Sequence, residues 1–161
     1  AMISAAAQYE VGPMASVAGA VAAHVGSGLL EWTSDVIVEN GGDLFLRTAG
    51  PVGAGLYAGD AFADPAALRL RVEPRGRPLG MCTSSGRIGH SLSFGNADAV
   101  VAVARDAALA DAAATAIGNR IKGPSDIGPV LESEKKRGLL AGLVIVAGRR
   151  IGAFGEVELI R

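Results

Sequence analysis

The apolar positions of this chain follow a helical rhythm first and a strand rhythm after it. Behind Pro13, a residue suited to a first helical turn, Met14, Val17, Ala18, Val21, Ala22, Val25 and Leu29 recur at spacings of three and four. That pattern predicts a helix over about 13–30. Ala15, Ala18, Gly19, Ala20, Ala22 and Ala23 keep much of its surface small, which lets another element or a ligand approach closely. Val36-Ile37-Val38 and Leu44-Phe45-Leu46 are short β-prone runs. Glu39-Asn40-Gly41-Gly42-Asp43 between them suits a turn with positive φ, so a hairpin is expected.

Gly55-Leu56-Tyr57-Ala58-Gly59 and Leu68-Arg69-Leu70-Arg71-Val72 read as further strands, the second alternating apolar and charged residues so that one face is wet. The stretch from Met81 to Gly86, running on into Gly89 to Asn96, is dense in small and hydroxyl residues. It reads as a loop and as the best place for a site. Ala99 to Val103 is strand-like, and Asp106 to Ile121 is an Ala-rich helix with Asp106 at its N-cap. Gly123 and Pro124 end that helix. A polar surface connection over 125–137 has room for a short helix, and 139–146 and 157–160 close the chain as strands. The expected class is α+β: a mainly antiparallel sheet packed with Ala/Gly-rich helices, in a single domain over residues 1–161.

Composition narrows the picture. With 50% of its residues apolar and 19% charged, a chain of 161 residues can bury one sizeable core. A formal charge of −1, with no basic run longer than Lys135-Lys136-Arg137, argues against a nucleic-acid partner. The stretch from Gly138 to Gly148 is too short to span a bilayer as a helix, so no membrane partner is expected. Cys82 is the only cysteine, which fits a reducing, cytoplasmic setting and makes an inert buried thiol its ordinary role. The opening residues lack the basic start of a signal peptide and look like the interior of a domain. Because the chain begins on Ala1 rather than Met, it also reads as compatible with a longer gene product.

Three motifs in order carry a resemblance: Asn40-Gly41-Gly42-Asp43 before a strand, Thr83-Ser84-Ser85-Gly86, and Ala110-Asp111-Ala112-Ala113-Ala114-Thr115-Ala116. Over most of the chain their sequence resembles the ApbE-like superfamily of FAD:protein FMN transferases. Val11-Gly12-Pro13-Met14-Ala15, Met81-Cys82-Thr83-Ser84-Ser85-Gly86 and Gly89-His90-Ser91-Leu92-Ser93-Phe94-Gly95 are similar to the short, functionally uncharacterised branch of it. The resemblance implies an ApbE-like fold, Mg²⁺ and FAD as cofactors, and transfer of FMN from FAD to a protein hydroxyl. It implies Asp111 and Thr115 as metal ligands, Asn40, Gly41, Gly42 and Asp43 as a turn against phosphate or flavin, and Thr83, Ser84, Ser85 and Gly86 beside the nucleotide. His90 is implied as an acid, a base or a phosphate partner.

The physical chemistry permits each role and also a plainer one. Side chains at i and i+4 share a helix face, and hard oxygen ligands suit Mg²⁺. A helical Thr can equally bond the preceding turn while its Asp neighbour faces water. A Gly-Gly turn can cradle phosphate through bare N–H groups or simply turn the chain. His90 can be catalytic or a hydrogen-bonded loop histidine. The chain also departs from the family twice. Ser91-Leu92-Ser93-Phe94-Gly95 follows His90 where the transferases carry Asp-Pro-x-Thr-Gly, and only about ten residues precede the first predicted helix where the family has β-structure. The second departure implies a homo-oligomer or a partner chain that supplies the absent segment. Three readings follow: a Mg²⁺-dependent flavin- or nucleotide-handling transferase, a non-catalytic binding module for a small anionic ligand, and a structural or interaction subunit.

Overall fold

The computed structural model describes residues 1–58, 68–86 and 95–160. Within them the α+β expectation holds: four α-helices, α1 (Met2–Tyr9), α2 (Val17–Leu29), α3 (Ala107–Arg120) and α4 (Ile127–Arg137), accompany nine strands. A six-stranded antiparallel sheet has the order β1 (Val36–Asn40), β2 (Asp43–Arg47), β5 (Leu79–Ser84), β6 (Ala99–Ala104), β7 (Gly142–Ala147) and β8 (Arg150–Gly155). A smaller antiparallel sheet joins β3 (Val52–Gly55), β4 (Arg69–Val72) and β9 (Glu158–Ile160).

The larger sheet is the middle layer, and strand alternation sorts its side chains between two cores. Val100, Ala102, Leu143 and Ile145 face the helices, where they meet Ala108, Ala112, Ala113 and Ile117 of α3. Val101, Val103, Val144 and Val146 face the smaller sheet and meet Leu70 and Val72. Burial on both faces explains why β6 and β7 are continuous apolar runs instead of alternating ones, although their pairing is antiparallel. The wet face expected for β4 is present: Arg69 is exposed while Leu70 is buried.

On the helical side, α2 lies over β1 and β2, α3 over β5 and β6, and α4 against β8. Close approach depends on residues without side chains. A Cβ at Gly19 would stand 2.3 Å from the carbonyl oxygen of Ala107, and one at Gly26 would stand 2.1 Å from the ring of Phe45. Asp106 caps α3 as expected, its carboxylate accepting from the Ala108 N–H at 2.9 Å.

Two expectations need correction, and one element was not foreseen. Met81 to Ser84 is not a loop but most of β5, a central strand between β2 and β6, with Met81 and Cys82 fully buried. Small residues here serve a sheet on which α3 sits tightly, since Gly80 and Ala107 are in direct contact. The segment 125–137 is largely helix α4. Val130 and the carboxylate of Glu134 are buried on its inner side. The opening residues form α1, whose Ala5, Ala6 and Tyr9 are buried. The Tyr9 hydroxyl donates to Glu134 at 3.2 Å, Arg120 pairs with the same carboxylate, and the Arg137 guanidinium lies 4.5 Å from the Tyr9 ring centre. That cluster fastens α1 and α3 to α4. Burial and the adjacent Glu134 push the Tyr9 hydroxyl far up, so it stays a donor at any ordinary pH.

Candidate functional site

The β1–β2 hairpin turns on Gly41 and Gly42 alone, with φ of 65° and 100° and Asn40 paired to Asp43 across the turn. Two successive positive φ values define the tight turn whose twist suits a hairpin. Strand alternation then puts Asp43 on the face of Phe45, which packs under α2. Asp43 therefore points toward the helices. Its carboxylate accepts the Thr83 N–H at 3.0 Å from β5.

Asp111 arrives at the same place from the second turn of α3. Its carboxylate accepts the Gly19 N–H at 2.9 Å near the start of α2, a contact that the missing side chain of Gly19 makes room for. Asn40 steadies the arrangement, its amide donating to the Ala18 carbonyl at 3.2 Å. Asp43, Asp111 and Thr115 line one cavity of about 300 Å³, closed by Met14, Ala15, Val17 and Ala18.

The electrostatics reflect burial. Asp43 is pushed from 3.8 to about 7, first by burial and then by the neighbouring charge of Asp111. Asp111 is pushed to about 6 by burial, with the Gly19 and Ala18 N–H groups pulling it part of the way back. Cys82 lies beneath them, and burial and the two carboxylates push its thiol up. It donates to the Ala107 carbonyl at 3.3 Å, the arrangement of an inert buried thiol.

The donor set fits a hard divalent cation. Mg²⁺ commonly takes one or two carboxylates and completes its shell with water and substrate oxygens. Asp43, Asp111 and Thr115 line the same cavity and are the residues that could hold such a cation. Among the described residues no group of three or more His, Cys, Asp or Glu could hold a metal. A cation here would need oxygen donors from the main chain, water or a bound ligand.

The remaining motif residues divide. Gly42 and Thr83 line a second cavity of about 440 Å³ on the opposite face of the sheet, with Leu44, Met81 and Val101 as its floor and Ala54, Leu56 and Tyr57 on the other side. Ser84 ends β5 and Ser85 follows it, both half-buried. Gly86 is needed for packing: its N–H donates to the Ala97 carbonyl at 2.9 Å, and a Cβ would meet the Gly95 carbonyl oxygen at 2.2 Å. His90 lies outside the described residues.

Sequence reasoning assigned Asp43 to a phosphate- or flavin-binding turn and missed its place beside Asp111. The signal was present in the two-residue alternation with Phe45. What the alternation could not supply was the identity of the helix above it.

A middle antiparallel sheet with helices on one face and a smaller sheet on the other is an α+β architecture, and its acidic pair sits between that sheet and the helices. Residues 1–146 match the family described as AbpE bacteria, and the chain belongs to that family. It is 40% identical to a UPF0280 protein of Methanothrix thermoacetophila over 99% of this chain and 67% of that protein. It is 42% identical to a UPF0280 protein of Methanocaldococcus jannaschii over 94% of this chain and 63% of that one. The chain thus spans about two thirds of the length of these relatives. Its fold is similar to the crystal structure of the ApbE protein of Thermotoga maritima, with a TM-score of 0.62 at 19% identity, covering 83% of this chain and 48% of that one. Among the described residues no helix is long and apolar enough to cross a membrane.

Proposed function

We propose that the chain carries a Mg²⁺-dependent site for a flavin or nucleotide, with FMN transfer from FAD to a protein hydroxyl as the nearest reaction. The observation that carries this reading is the convergence of Asp43, Asp111 and Thr115 on one cavity, although the three residues come from a hairpin and a helix far apart in sequence. Two buried carboxylates with raised pKa favour a divalent cation, because the cation removes the repulsion and the burial cost of their charged forms. Asp111 and Thr115 would hold the cation from α3, and Asp43 would complete the protein's share from β2. A bound Mg²⁺ supplies charge neutralisation of a pyrophosphate and polarisation of the phosphorus under attack. The Thr83 N–H fixes Asp43, and the Gly19 N–H fixes Asp111, so neither carboxylate has to reorganise to receive it. By resemblance His90 is the proposed acid–base group.

The replacement of Asp-Pro-x-Thr-Gly by Ser91-Leu92-Ser93-Phe94-Gly95 favours a second reading, a binding module that takes the ligand without turning it over. Thermal-shift titration with FAD, FMN and ADP, with and without Mg²⁺, tests both, since a ligand of the native state raises the melting temperature. FAD should stabilise the chain only with Mg²⁺, and Asp111→Ala should abolish that effect while leaving the fold intact. Equal stabilisation of the variant would sink the metal assignment. Binding without AMP release or a flavin-labelled acceptor protein would select the binding module.

A further inference from the structure

A separate cavity of about 520 Å³ lies where α1, α3 and α4 end, and it shares no lining residue with the cavity of Asp43 and Asp111. Three charged side chains line it: Glu10 from the cap of α1, Arg120 from the last turn of α3, and Arg137 from the last turn of α4. The two cations share one buried anion. Arg120 pairs with the Glu134 carboxylate, and Arg137 lies 3.9 Å from the same oxygen while donating to the Gln8 carbonyl. Glu134 also accepts from the Tyr9 hydroxyl, so it cannot saturate both guanidiniums. Each keeps 38–39% of its side-chain surface open, and a guanidinium carries five donors in a fixed fork. Donors remain for one further carboxylate.

Glu10 brings the opposite charge to the same cavity. Among the described residues its carboxylate makes no hydrogen bond or ion pair. Its backbone is left-handed, with φ of 57°, at the position where a helix end ordinarily takes glycine or asparagine. A charged side chain is held there against that preference, and local strain of this kind accompanies side chains that are used. Together these features select against simple ions. A plain anion on the guanidiniums would meet Glu10 and the partial negative charge of the α3 and α4 ends. A plain cation at Glu10 would meet Arg120 and Arg137. Val11 and Ala116 add apolar surface to the lining.

We propose that this cavity binds a small zwitterion with one carboxylate and one ammonium group, the chemistry of a free amino acid. The ligand's carboxylate bridges Arg120 and Arg137, whose planar forks match it two bonds at a time. Its ammonium sits on the Glu10 carboxylate, and the carbon atoms between the charges lie against Val11 and Ala116. The site is independent of the metal and flavin assignments above.

Chemical-shift titration of the isotope-labelled chain with glycine, β-alanine and γ-aminobutyrate tests it, because the series varies the spacing between the two charges. At least one of the three should give saturable shifts at the amides of Glu10, Val11 and Arg137. Acetate and ethylammonium, each one half of such a ligand, should bind at least tenfold more weakly. Glu10→Gln, at an exposed position and checked for folding by circular dichroism, should weaken binding of the zwitterion at least tenfold. Glu10→Gly should weaken it as much without lowering the melting temperature, since glycine accepts the left-handed backbone. Absence of saturable shifts with all three zwitterions would overturn the proposal. So would acetate binding as tightly as the best of them, or Glu10 variants that bind like the wild type.

Discussion

The two faces of the central sheet are packed by opposite means. Toward the smaller sheet the space is filled by Leu46, Leu70, Val72, Leu79, Val101 and Val144. Toward the helices, around the start of α3, the space is nearly removed, because Gly19 and Gly80 let α2, α3 and β5 meet at backbone distance and Gly26 lies against the Phe45 ring. The acidic pair lies on the second kind of face. Close backbone approach brings main-chain N–H groups of Gly19 and Thr83 onto Asp111 and Asp43, and this gives two buried carboxylates their hydrogen bonds. A face built from large side chains would not present main chain in this way.

The sharpest way to break this comparison is to add one side chain to each kind of position. Gly19→Val would drive its Cβ into the Ala107 carbonyl and displace Asp111. It should cost about 3 kcal/mol, or leave no folded protein. Gly53→Ala in β3, where the added atom meets open space, should stay within about 0.5 kcal/mol of the wild type. Urea denaturation reads both, and similar losses at the two sites would erase the distinction between the faces.

A second prediction uses the buried charges. Asp43 and Asp111 have folded values of about 7 and about 6 against 3.8 in a free carboxyl. The native state therefore holds protons more tightly than the unfolded chain. The stabilisation from this source is full below about pH 4 and is lost as the pH rises through about 7. Metal-free protein should lose on the order of 2 kcal/mol between pH 5 and pH 8. Asp43→Asn should flatten most of that slope, and Mg²⁺ should restore stability at the upper end. A melting temperature in EDTA that does not fall over this range would contradict the burial argument.

The smallest effect concerns the start of α3, which carries Asp111 into place. Asp106→Ala removes the cap on the Ala108 N–H and should cost about 1 kcal/mol, measured by thermal unfolding. Cation affinity should change little, since the cap contacts neither Asp111 nor Thr115. A large drop in affinity would mean that the helix end, and not only the second turn, sets the site.

Much of the candidate site was legible along the chain, and its grouping was not. Asp111 and Thr115 are one helical turn apart, so the sequence alone placed them together. The Gly41-Gly42 turn was legible because successive positive φ values have few other carriers. Met81 to Ser84 was misread as part of a loop because small and hydroxyl residues ordinarily mark turns. In this fold Gly80 and Cys82 are small because α3 lies directly on β5. Helix α1 was missed for a related reason: an Ala-rich octet has no apolar stripe, and only its burial against α3, together with the bond from Tyr9 to Glu134, makes its inner side visible.

What the sequence determined by itself was local: helix α2 from its three-and-four spacing, the hairpin from its glycines, the cap at Asp106, and an α+β class with antiparallel pairing. The tertiary structure decided which face of the sheet each motif serves. A strand's two-residue period says that Asp43 shares a face with Phe45 and Thr83 shares one with Met81, but not which side holds the helices. That choice depends on contacts between residues far apart in the chain, such as Gly19 with Ala107 and Asp43 beside Asp111, and no local pattern encodes them.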